Sequence, residues 1–291
     1  MKKSILFTAL MALLVATSCA GSTEQVAGRK KKAPEREGWG GVPLYGDVER
    51  VTITNYDVAD KFGEIVKDKI TYKEVYTFNQ KGDVVEGAYY DSDGSLNWKW
   101  LYKYDSQGKL IENAWYNSDG SLDWKEIYKY DSQGNPIEGA AYTSVGSLIW
   151  KDTYKHDSQG NQIEEARYNS DGSLDWKSLY KYDSQGNKIE TARYNFDGSL
   201  DWKSTYKYDS QGNMIEATRY NSDGSLDDKS TSTYDSQGNM IEWALYNSDG
   251  SLDGKDIRKY DSQGNWVEWI EYEGEIMKPR EMGVQEIVYR K

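Results

Sequence analysis

The chain has a single cysteine and a single histidine in 291 residues. One cysteine cannot close an internal disulfide, so no disulfide framework holds this protein together. The same scarcity excludes a Cys/His zinc site and leaves no Ser–His–Asp or Cys–His set for nucleophilic catalysis. Long apolar runs are also missing. The longest, Ile5 to Ala16, is well short of the roughly 20 residues a membrane-spanning helix needs. Positive charge is in deficit, with 36 Lys and Arg against 48 Asp and Glu, for a formal net charge of −12. A surface this acidic repels phosphate backbones and excludes nucleic acid as a partner.

What the chain has in abundance is one phrase. "KYDSQGN" at 181–187 recurs nearly unchanged, with its aromatic anchor at Phe78, Tyr104, Tyr130, His156, Tyr182, Tyr208, Tyr234 and Tyr260. Every interval is 26 residues, which identifies eight copies of one structural unit. Each unit carries two turn signals, "DSQGN" and "NSDGS", with Gly fourth after an Asp or Asn and two further residues. That pattern suits a type I turn followed by a left-handed Gly, the bulge-type hairpin loop. The runs between turns are about eight residues long and rich in Tyr, Trp and Ile, as strands are. A helix has no room inside the unit.

The expected fold is therefore all-β: a long antiparallel meander of two-strand units. If Tyr116 faces Leu122, simple alternation places Ala114 opposite Trp124 and Glu112 opposite Glu126. One face then carries Tyr116, Ala114, Glu112, Leu122, Trp124 and Tyr128, and the other Asn113, Ile111, Asp123, Lys125, Ile127 and Lys129. An aromatic face of that length would not stay in water, so a curled, spiral or barrel-like sheet with Trp and Tyr inside is expected. Low mean hydropathy keeps an elongated single-layer sheet as the alternative. Residues 46–77 and 273–291 lack the phrase and read as an N-terminal β cap and a C-terminal cap strand around repeats 78–272, blunting the ends of the array.

Two resemblances follow from these residues. "MKKSILFTALMALLVATSCA" resembles a bacterial lipoprotein signal, with basic Lys2 and Lys3, an apolar stretch and small residues before Cys19. It implies removal of residues 1–18, acylation of Cys19, a flexible basic linker at 19–45 containing Arg29 to Lys32, and a protein anchored to a membrane. "YKYDSQGN" resembles the YD repeat of Rhs and teneurin-like proteins, over residues 78 to 272. "YNSDGSLDWK" resembles MORN-like hairpin repeats. The YD family implies spiral hairpin shells and cell-surface binding. Its toxin-enclosing role is not expected, because no separate toxin-like region follows these repeats.

Candidate sites are few. His156 occupies an aromatic slot of the repeat and reads as a structural variant. The unit glutamate recurs as Glu86, Glu112, Glu138, Glu164, Glu190, Glu216, Glu242 and Glu268. Such a ladder could serve a carboxylate-based glycoside hydrolase, although eightfold repetition suits structure better. "NSDGSLD" at 117–123 resembles part of a calcium loop, but its residues equally suit a tight turn. Trp98, Trp124, Trp150, Trp176 and Trp202 recur at one position, giving way to Asp228 and Gly254. They could stack on sugar rings or on protein, or pack as core. No cofactor or metal is expected. The functional expectation is a non-enzymatic, lipid-anchored cell-envelope protein, at the outer membrane or cell surface. It would offer a multivalent surface to glycan or protein, with a purely structural envelope spacer as the alternative.

Overall fold

In a computed structural model, which describes residues 43–274 and 276–291, every element is a β-strand. The first two are long: β1 (Val48–Lys61) and β2 (Glu64–Phe78). Then come β3 (Val84–Asp91), β4 (Leu96–Tyr104), β5 (Leu110–Asn117), β6 (Leu122–Tyr130), β7 (Pro136–Thr143), β8 (Leu148–His156), β9 (Gln162–Asn169) and β10 (Leu174–Tyr182). The rest are β11 (Lys188–Asn195), β12 (Leu200–Tyr208), β13 (Met214–Asn221), β14 (Leu226–Tyr234), β15 (Met240–Asn247), β16 (Leu252–Tyr260), β17 (Trp266–Glu273) and β18 (Lys278–Tyr289).

The turns form for the reasons their residues suggest. In the 131–135 turn, Asp131 Oδ1 accepts the amides of Gln133 (2.8 Å) and Asn135 (2.9 Å). Gly134 takes φ +86°, a conformation that costs glycine little. In the 117–121 turn, Asp119 Oδ1 accepts both the amide (2.8 Å) and hydroxyl (2.6 Å) of Ser121. The acid at the heart of the calcium-like pattern is thus holding its own turn.

The sheet closes. Each strand pairs antiparallel with the next, and β1 pairs with both β2 and β18. Val51 is opposite Ile287 on one side and Tyr76 on the other. The result is an 18-stranded barrel closed first strand to last, which corrects the expected spiral meander with two capped ends and its single-layer alternative. The two end segments blunt no edge; they pair with each other and abolish both edges. The YD-repeat and MORN-like resemblance is corrected with it, because those readings implied an open array and the chain forms a closed ring.

A second correction concerns register. Each hairpin carries a β-bulge. Between β5 and β6 the register shifts between Trp115 and Tyr116, so Ala114 lies opposite Lys125, Trp115 opposite Trp124 and Asn113 opposite Glu126. Tyr116 does face Leu122, but Asp123 is the extra residue, and a slip of one residue sends every following side chain to the other face. The repeated glutamate therefore stands with the lysines, opposite Ile127 in the case of Glu112, and not on the aromatic face.

A small apolar core sits at the rim where β1 begins. Leu44, Val48, Val51, Phe78 and Val84 are buried together. Asn265, fully buried, fixes this rim: its Oδ1 accepts the amide of Tyr45 (2.6 Å), and its Nδ2 donates to Tyr45 O (3.2 Å) and Tyr289 Oη (3.0 Å). Arg290 adds an ion pair to Asp47 at 2.6 Å and a bond to the carbonyl of Phe78.

Candidate functional site: the inner wall of the barrel

The aromatic face is the inner one. On it, burial pushes the Glu126 carboxyl up to about 7 and also raises Glu74 and Glu165. On the other face Glu112, Glu190 and Glu216 are lowered, chiefly by hydrogen bonds from Lys103, Lys181 and Lys207. Desolvation separates the two walls as a concave and a convex surface would. For a circular barrel, eighteen strands about 4.8 Å apart and tilted about 40° give a backbone radius on the order of 18 Å, wide enough for an aqueous lumen.

The inner wall carries a ladder near the rim formed by the NSDGS turns. Tyr89 stacks on Trp98 with ring centres 4.2 Å apart, and Trp115 stacks on Trp124 at 3.6 Å. Further round, arginines replace one partner. Arg167 lies 3.9 Å over Trp150, Arg193 4.2 Å over Trp176, and Arg219 4.6 Å over Trp202. These contacts all join neighbouring strands. The five expected tryptophans thus share one inward layer, and the arginines interleaved with them are functional candidates that the repeat reading missed.

Beside that layer is a polar cluster on β5 to β10. Asp152, 2% exposed, receives both Arg167 Nε (2.8 Å) and Nη2 (2.7 Å). Glu126 accepts the Tyr128 hydroxyl at 2.6 Å, and Glu165 accepts that of Tyr180 at 2.6 Å. Burial, followed by the nearby carboxylates, raises Tyr128 and Tyr180 far above the usual phenol range. Gly139 leaves a notch between these groups: a Cβ there would lie 3.1 Å from both Glu126 Oε1 and the Tyr154 hydroxyl.

Aligning the units on this geometry separates the two walls by sequence. Three outward positions are copied, while the outward Ile127 position varies between Leu, Ile and Thr. Tyr116 and Glu112 keep their identity in all eight copies, and Lys125 keeps its identity in all seven. Inward positions diverge. The Asn113 position reads Gly87, Asn113, Gly139, Glu165, Thr191, Ala217, Trp243 and Trp269. The Trp115 position runs through Tyr89, Ala141, Arg167, Arg193, Arg219, Leu245 and Glu271, and the Glu126 position through Trp100, Asp152, Ser178, Ser204, Ser230 and Asp256. The signal was in the sequence, as the unit's variable letters, but it had no meaning without the bulge.

His156 takes the place of a tyrosine opposite Gln162, and burial lowers its pKa. Among the described residues, no group of three His, Cys, Asp or Glu could hold a metal ion, and no helix is long and apolar enough to cross a membrane. The latter says nothing of strands.

No family model and no curated protein matches the chain. Solved structures similar to it include a porin-like protein from Bacteroides uniformis, at 10% identity over 83% of this chain and 96% of that one, with a TM-score of 0.43. The Photorhabdus luminescens Tc holotoxin pore matches at 13% identity over 79% of this chain, with a TM-score of 0.37. A TcdB2–TccC3 structure matches at 15% identity over 77% of this chain, with a TM-score of 0.35. The chain spans only 14% and 15% of the lengths of those two toxin chains. At these scores the likenesses carry no argument about function.

The functional and partner expectations are corrected by closure. A multivalent face displayed to glycan or surface protein does not exist once the aromatic side lines a lumen, and a spacer built as an open sheet does not exist either. A membrane partnership through Cys19 alone is likewise superseded, because a closed barrel meets its surroundings through its whole wall. Cys19 and residues 19–42 of the 19–45 linker lie outside the described residues. Closed antiparallel barrels occur both in outer membranes and in water, and the exported, cell-envelope part of the expected location is consistent with a closed barrel, without the lipid anchor.

Proposed function

We propose a transport role: a hollow barrel of the cell envelope that admits polar solutes at its ends and holds them on lumenal side chains. One observation carries this reading. Three outer positions, those of Glu112, Tyr116 and Lys125, repeat unit after unit, while three inner positions, those of Asn113, Trp115 and Glu126, change from unit to unit. Here the inner positions sort chemistry round the ring, from aromatic rings through the carboxylates Glu126, Asp152 and Glu165 to the guanidinium groups of Arg167, Arg193 and Arg219.

The outer wall suits water. Lys99, Lys125, Lys151, Lys177, Lys203, Lys229 and Lys255 point outward from mid-strand. Burying each at the centre of a bilayer would cost roughly 2–4 kcal/mol, together roughly 14–28 kcal/mol. That matches or exceeds the roughly 5–15 kcal/mol by which a typical domain is stable. The reading is also non-enzymatic. In support, the buried carboxylates are engaged by tyrosine hydroxyls and by Arg167, which suits holding a solute more than transferring protons.

Thiol labelling tests the lumen. In a Cys19→Ser background, Ser232→Cys places a thiol inside and Thr205→Cys places one outside. A small maleimide should label both, and a maleimide on a large polymer only the outer one. If the inner thiol stays unreactive towards the small reagent, the lumen is not open to solutes and the transport reading fails.

A further inference from the structure

One inward pair recurs in three successive units, with a change after the first. Asp152 stands directly opposite Arg167 across β8 and β9, Ser178 opposite Arg193 across β10 and β11, and Ser204 opposite Arg219 across β12 and β13. In the first pair the carboxylate caps the guanidinium with two hydrogen bonds, at 2.8 and 2.7 Å. The next two units keep the arginine, and keep it over the tryptophan of the preceding strand. They replace its acid with a serine. Among the described residues neither Arg193 nor Arg219 then makes a hydrogen bond, and the Nε of each is buried without a partner. The carboxylates that come nearest are those of the exposed bulge residues Asp201, 3.6 Å from Arg193 Nε, and Asp227, 3.4 Å from Arg219 Nε. Both distances are longer than a good hydrogen bond, and exposed ion pairs of this kind hold little. Asp228 faces Arg219 from β14 but makes no ion pair with it. The two arginine side chains are 33% and 36% exposed, and with Nε buried that exposure belongs to the rest of the side chain, on the lumenal side.

Arginine keeps its charge at any ordinary pH, and its planar fork matches a carboxylate with two parallel hydrogen bonds. What Arg193 and Arg219 lack is therefore defined within the molecule by what Arg167 has. A carboxylate brought from outside would supply it, with the serine hydroxyl opposite each arginine as a neutral donor where Arg167 faces a competing acid. The two arginines lie two strands apart, about 10 Å at the backbone, so one flexible diacid can meet both. We propose that Arg193 and Arg219 are lumenal sites for the carboxylate groups of an organic acid, which rests on the transport reading and names its solute class.

The test is calorimetric titration of the full chain with octanedioate, with octanediamide as the uncharged comparison and sulfate as a second anion. Octanedioate should bind, and octanediamide and sulfate about tenfold or more weakly. Arg193→Gln and Arg219→Gln should each weaken octanedioate binding about tenfold or more, while outer-wall Lys207→Gln leaves it unchanged. Ser178→Asp should rebuild the Arg167–Asp152 pair around Arg193. It should weaken binding as much as Arg193→Gln does, while leaving the fold at least as stable in urea. Equal binding of octanediamide or sulfate, binding that survives Arg193→Gln or a folded Ser178→Asp, or no binding overturns the proposal. Absent binding together with a labelled Ser232→Cys would overturn the carboxylate sites alone. An unlabelled inner thiol would overturn the transport reading itself.

Discussion

Replacing Glu126 with glutamine should change how stability depends on pH, by an amount the structure sets. Burial against the inner wall is the main cause of the raised Glu126 pKa; the Tyr128 bond opposes it, and Asp152 and Glu165 add to it while Arg167 opposes it. The carboxyl moves from an ordinary 4.5 to about 7. At about 1.4 kcal/mol per pH unit, that difference is about 3 kcal/mol. Because the folded value is the higher one, the folded chain holds this proton more tightly than the unfolded chain. The associated stability is fully present below pH 4.5 and is lost as pH rises through 7. The amide of the Glu126→Gln variant cannot ionise and loses nothing over that interval. Urea unfolding of the two proteins should therefore give curves that differ least near pH 5 and favour the variant by about 3 kcal/mol near pH 9. Asp256 and Glu281, raised to about 6 and about 7 by burial, titrate alike in both proteins and cancel in the difference. Parallel pH profiles would refute the argument, and with it the assignment of the aromatic face to the inside.

Other perturbations test other parts of the fold. Trp269 lies over Gly283, where a Cβ would collide with the indole, so Gly283→Ala should destabilise by about 1–3 kcal/mol in denaturant melts. Trp176→Ala removes a ring flanked by Arg167 and Arg193 and should cost about 3–5 kcal/mol, measured the same way. Breaking the outer Lys207–Glu216 pair by Glu216→Gln should cost about 1 kcal/mol or less, with the difference shrinking at high salt. Deleting residues 157–182 removes one unit and should leave a 16-stranded barrel. Its backbone radius should fall from about 18 Å to about 16 Å, read by solution scattering; a barrel that opens or associates through free edges would show that closure depends on strand number.

Much of this architecture was legible in the residues, and the losses have particular causes. The DSQGN and NSDGS turns were readable because Asp, Ser and Gly each have one local task there, and strands followed from what lay between. Register was not readable. The bulges add Asp123 and Ile111 to otherwise alternating runs, and nothing local marks those two as extra. Closure was not readable either, because β1 and β18 carry no phrase, and "VERVTITNY" looks the same whether it blunts an edge or pairs with "VQEIVY". The arginines and the inward acids Glu126, Asp152 and Glu165 were hidden for a different reason. They stand where the repeat is least repetitive, so comparing copies averaged them away.

The division between a copied exterior and a varied interior has a consequence for how such a chain can change. Near-identical neighbouring segments invite recombination, and each exchange swaps a whole hairpin. Because every hairpin presents the same shoulders to its neighbours, exchanged hairpins still join. What each exchange alters most is the short string of side chains facing inward. The lumen is in that sense composed of interchangeable letters, and a population of such chains could explore new contents without redesigning the vessel.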